Sequence, residues 1–188
     1  MLIKRRQAPS MTRLGIVIAL LICAFGASSV TTSAQDSTAP ETPSATQQLE
    51  PMIRALLDTI ETVSDYRASE TLPRVYQLPQ LLLEAEVCDE PCNVTAAYVP
   101  RKGIYFAENL DPVHDPVDRA ALLHELVHYL QQGHPKFAHM APCERERAKE
   151  QEAYAIQNTY LALIGSQQRV VFYDGEFDCD SGRFSRSP

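Results

Sequence analysis

One stretch of the chain, from Asp115 to Gly133, has its environment dictated by its own residues. Asp115-Pro116-Val117-Asp118 is a helix start: a carboxylate that can cap free amides, a proline at the first helical position, and an acid three residues after the cap. Gly133 and Pro135 end the helix after Gln132. On a wheel of about 100° per residue, Leu122, Leu123, Leu126, Val127 and Leu130 fill one side, while Val117 and Ala121 adjoin the other. A helix that is apolar nearly all round is expected to be buried. His124, Glu125 and His128 are its polar exceptions.

Around this helix the pattern predicts α+β architecture. Leu49, Met52, Ile53, Leu56, Leu57, Ile60 and Val63 recur at helical spacing and predict an amphipathic scaffold helix to about Tyr66. Prolines 73, 79, 91 and 100 forbid a long helix in the segment that follows. Val94 to Val99 and Ile104 to Ala107 favour strands, joined by a hairpin turn at Pro100-Arg101-Lys102-Gly103, with a short helical piece around Leu81 to Glu86. A second long helix fits Cys143 to Leu163, closed by Gly165. No internal repeat is visible.

The N-terminus reads as a targeting signal. Lys4, Arg5, Arg6 and Arg13 precede an apolar run from Leu14 to Ala27, and Thr32-Ser33-Ala34 offers a small-residue cleavage site. The run is short for a membrane span, and bulky Ile22 before Cys23 suits a lipoprotein signal poorly. Residues 1–34 are therefore expected to be a cleaved signal peptide, residues 35–48 a flexible Ser/Thr/Pro-rich leader, and residues 49–188 one domain that is secreted or periplasmic, with no stable membrane anchor. Excluding 1–34 removes four of the 17 basic residues and none of the 24 acids, leaving a net charge of −11. That balance argues against a nucleic-acid partner, whose phosphates need a basic surface. Four cysteines remain, an even number suited to two disulfides in an oxidising compartment. Of the three possible pairings, Cys88 with Cys92 and Cys143 with Cys179 is preferred. The closely spaced cysteine pairs of a zinc ribbon are missing.

Residues four apart on a helix share a face, so His124 and His128 can aim two imidazoles at one point, with Glu125 beside them. Zinc hydrolysis uses such a set: two neutral nitrogen ligands, and a carboxylate placed to take a proton from water without ligating the metal. Buried ionisable groups need partners, and a metal would account for all three. The five-residue pattern alone is only moderately specific, and its bland reading is a satisfied core histidine pair with a surface Glu.

A third ligand is required. The next helix offers Glu144, Glu146, Glu150 and Glu152; an inward stripe drawn through Ala148, Ala155, Ile156, Thr159 and Leu163 selects Glu152 and turns Glu146 and Glu150 away. Glu144 lies in the first turn, where an acid is ordinary. A buried Glu152 paired with Arg145 or Lys149 is the structural alternative.

His124-Glu125-Leu126-Val127-His128-Tyr129-Leu130-Gln131, followed by Glu152-Ala153-Tyr154-Ala155, resembles the two active-site helices of gluzincin-type zinc metallopeptidases, over roughly residues 94 to 164. The resemblance implies a zincin-like fold, with a small antiparallel sheet packed on the active-site helix and a second ligand-bearing helix. It further implies Zn2+ held by His124, His128 and Glu152, Glu125 as general base, and a peptide or protein substrate lying along an antiparallel strand. The family's supporting Asp, four residues after the second-helix Glu, is Ile156 in this chain. A metzincin arrangement would use His134 as third ligand, but its turn glycine corresponds to Gln131. Tyr160, His134 and Tyr105 are candidates to stabilise an oxyanion. The alternative functions are a catalytically inactive secreted protein that keeps the metal for binding or assembly, and a disulfide-stabilised interaction domain without metal.

Overall fold

The computed structural model describes residues 45–89, 92–173, 177–179 and 183–184. All belong to one unit, Thr42–Pro188. The expected signal peptide and the leader as far as residue 44 lie outside the described residues.

Helix α1 (Ala45–Val63) starts ahead of the predicted Leu49 and ends short of Tyr66, with Pro51 inside it. Its apolar stripe is buried at Leu49, Ile53, Leu56, Leu57 and Ile60, against α3, α4 and β1. Strand β1 (Val75–Leu78) and helix α2 (Gln80–Val87) follow, then strands β2 (Ala96–Val99) and β3 (Gly103–Ala107). Helix α3 (Pro116–Gln131), a single 3-10 turn (Pro135–Phe137) and helix α4 (Pro142–Leu163) come next, and a two-stranded ribbon, β4 (Phe177–Asp178) with β5 (Arg183–Phe184), closes the order. The architecture is α+β.

The three-stranded sheet has the order β1-β3-β2. β2 and β3 form the expected antiparallel hairpin, with Ala97 opposite Tyr105. β1, which the sequence reading missed, pairs parallel to β3 from Val75 opposite Ile104 to Leu78 opposite Ala107. The sheet is therefore mixed and not purely antiparallel. Two strands running the same way cannot be joined by a tight turn, and α2 lies within the excursion between them. Gly103 allows the close approach of β1: its φ is +138°, and a Cβ there would lie 2.4 Å from the Arg74 carbonyl oxygen, which accepts from Ile104 N–H. The hairpin turn also holds Arg101 in the left-handed region, at φ 68°.

α3 begins as its sequence dictates. Asp115 Oδ1 accepts from Val117 N–H at 2.7 Å and from Asp118 N–H at 3.4 Å, with Pro116 at the first position. Leu123, Leu126 and Val127 are fully enclosed, among Ile53 and Ile60 of α1, Ile104 of β3 and Leu161 of α4. Burying each such side chain contributes about 1.5–3 kcal/mol, so α3 is the mechanical centre of the fold. Gly133, at φ +73°, turns the chain out of it.

Cys88 is bonded to Cys92, closing the loop after α2, and Cys143 to Cys179, tying the first turn of α4 to the C-terminal ribbon. This is the preferred pairing. Among the described residues no helix is long and apolar enough to cross a membrane.

Candidate metal centre

α3 packs along α4, and the polar exceptions of α3 meet polar groups of its neighbours. His124 and His128, one turn apart, bring their Nε2 atoms to 3.0 Å. Glu150 of α4 reaches both, Oε2 at 3.2 Å from His124 Nε2 and Oε1 at 3.3 Å from His128 Nε2. These three residues can hold a metal ion, with one ligand atom of each lying within 4.8 Å of the others.

The remaining ring nitrogens decide what the site wants. His128 Nδ1 donates to Gln131 Oε1 at 2.8 Å. That amide cannot be reversed, because Gln131 Nε2 donates to two acceptors, Lys149 O at 3.0 Å and Glu152 Oε2 at 3.1 Å. His124 Nδ1 lies 3.1 Å from Gln157 Oε1. Where His124 also carries its proton on Nδ1, neutral rings set two Nε2 lone pairs against each other beside a carboxylate. A metal ion or a proton satisfies such a set. In the metal-free chain a proton serves: burial alone would lower the affinity of His128 for it, but the hydrogen bond and charge of Glu150, helped by the Glu125 charge and Gln131, raise its pKa from 6.5 to about 9. Burial would raise the Glu150 carboxyl, yet the hydrogen bonds and charges of the two imidazoles hold it well below the carboxylate range.

The third member of the group is Glu150, and this corrects the choice of Glu152. Glu152 lies about 200° round the helix from Glu150. It accepts from Tyr66 Oη–H, Lys136 Nζ and Gln131 Nε2, beside a cavity of about 400 Å³ lined also by His134 and Ile156. Burial would raise its carboxyl, but the Lys136, Tyr66 and Gln131 hydrogen bonds lower it. The predicted stripe failed because Ala155, Thr159 and Leu163 face solvent. The face turned to α3 is instead Glu150, Ala153, Gln157 and Leu161, spaced i, i+3, i+7 and i+11. Half of that stripe is polar because it lines the site. Gln157 was the missed signal: a buried amide at helical spacing from an acid.

Glu125 stays out of the ligand group. It is buried between α3 and the edge of β2 that no described strand pairs, where its Oε2 accepts from Tyr98 N–H at 2.7 Å. His134, the metzincin alternative, is outside the group too, its ring packed against Tyr66 at 5.0 Å and its Nδ1 accepting from Lys136 N–H. Of the other oxyanion candidates, Tyr105 stacks on Tyr76 at 4.9 Å and Tyr160 belongs to the core. The phenol packed on the site is Tyr154, its ring 4.5 Å from that of His124 and continued by Phe172. His114 pairs with Asp111, and His139 is exposed.

Comparison with protein-family models, curated proteins and solved structures found no match.

Proposed function

We propose that the chain is a secreted or periplasmic zinc-dependent hydrolase, a metallopeptidase with a zincin-like fold, whose ligands are His124, His128 and Glu150. The observation that carries this reading is the opposed pair of Nε2 atoms beside Glu150, with the non-ligand carboxylate of Glu125 on the adjoining residue. Two imidazoles and a carboxylate suit zinc among the common metals. Zinc held there would polarise a substrate carbonyl and make water a stronger acid.

The chain's own residues supply the rest. Glu125 is the general base, its carboxylate steered by the Tyr98 amide. Thr95 O accepts from Ala107 N–H, so by the alternation of an antiparallel pair the backbone groups of Ala96 and the carbonyl of Tyr98 point to the outer edge of β2, beside Glu125, where an extended peptide can lie. Tyr154, its ring packed on that of His124, is a candidate to donate to a developing oxyanion. Two disulfides suit the oxidising compartment that the expected signal peptide implies. The inactive metal-keeping alternative draws on the missing Asp at Ile156 and on the small size of the chain; Gln157 and Gln131, within hydrogen-bond distance of the two imidazoles, can take the place of that Asp.

The test is peptide hydrolysis and bound zinc measured in parallel. Glu125→Gln is expected to keep the metal while losing about 10² to 10⁴ in rate, and His128→Ala to lose the metal. Hydrolysis by Glu125→Gln at the parental rate would remove Glu125 from the mechanism. A zinc-loaded parent that cleaves no unstructured protein would turn the reading to the binding or assembly protein.

A further inference from the structure

Glu152 is too far round α4 to join the ligand group, yet it is not separate from the site. From the His128 ring, hydrogen bonds run outward through Nδ1–H to Gln131 Oε1 and through Gln131 Nε2 to Glu152 Oε2. The outer carboxylate is anchored by Tyr66 Oη–H and Lys136 Nζ. Gln131 is 1% exposed, so each end of its amide must be satisfied within the protein. A buried amide with a carboxylate at one end has a single stable orientation.

We propose that Gln131 and Glu152 form a positioning relay that fixes the tautomer and ring orientation of His128 as a metal ligand. This rests on the metal-centre reading. The anion at Glu152 and the Lys149 carbonyl together draw the amide N–H groups outward, which leaves the amide oxygen facing inward. That oxygen holds the proton of His128 on Nδ1 and keeps the Nε2 lone pair toward Glu150 and His124. A carboxylate usually touches such a histidine directly; here its charge acts through one intervening amide.

The experiment measures zinc affinity by competition with a chromophoric chelator, the cobalt absorption spectrum, and the ¹⁵N and ¹H resonances of His128 in the zinc-loaded protein. Gln131→Met, unbranched and close in volume, is expected to weaken zinc binding about 10- to 100-fold, to shift the His128 Nδ1–H resonance and to alter the cobalt spectrum. A purely structural tie between α3 and α4 would change stability without moving these signals. Should Gln131→Met not fold, Glu152→Leu reads the outer end, with an expected loss of about tenfold. Parental affinity in Gln131→Met or Glu152→Leu overturns the relay and leaves the metal centre standing. A parent that binds neither zinc nor cobalt overturns both.

Discussion

Two glutamates of α4, two residues apart, should fail very differently when made neutral. Glu150→Gln replaces an oxygen pair that stands 3.2 and 3.3 Å from the two histidine Nε2 atoms. Binding free energies of about 10–16 kcal/mol for protein-held zinc, shared among three protein ligands, give about 3–5 kcal/mol apiece. At about 1.4 kcal/mol per decade, that is a loss of about 10² to 10⁴ in affinity. Glu152 touches the site only through Gln131, two hydrogen bonds from His128. Glu152→Gln keeps an oxygen able to accept from Gln131, so its loss should stay at or below about tenfold, the low end for such outer partners. The assay is zinc titration against a chromophoric chelator, with thermal unfolding of each metal-free variant as control. Equal losses, or a larger loss in Glu152→Gln, would refute the assignment of Glu150 and return Glu152 to the ligand set.

The metal-free protein should carry a pH signature of the His–Glu pair. His128, raised from 6.5 to about 9, contributes stability that is fully present below pH 6.5 and is lost as pH rises through 9. Glu150, lowered from 4.5, contributes stability present above pH 4.5 and lost as pH falls below it. Urea unfolding across pH should show this contribution on a plateau between those limits; a metal-free protein that gains stability from pH 6.5 to 9 contradicts it. Replacing Cys143 and Cys179 by Ser opens a bridge across 36 residues and should cost about 4 kcal/mol by loop entropy, read as a lower urea midpoint; an unchanged midpoint would mean the C-terminal ribbon is held by other contacts.

Local chemistry made much of this protein legible in its sequence. The start and stop of α3, its burial, the hairpin turn and the facing of His124 and His128 follow from short-range rules, since a capping Asp, a proline at the first position and residues four apart act within one or two turns. The cysteine pairing also fell out, as the preferred one of three. Tertiary contact decided the rest. β1 is four residues between prolines and has no pattern of its own; it exists because β3 offers it a parallel edge that Gly103 lets it approach. The ligand on α4 could not be read by looking for an apolar stripe, since the face against α3 is polar at Glu150 and Gln157, while Ala155, Thr159 and Leu163 look to solvent. Periodicity finds the side of a helix that excludes water. It cannot find a side whose polar groups are satisfied by another helix, because that satisfaction is a property of the pair.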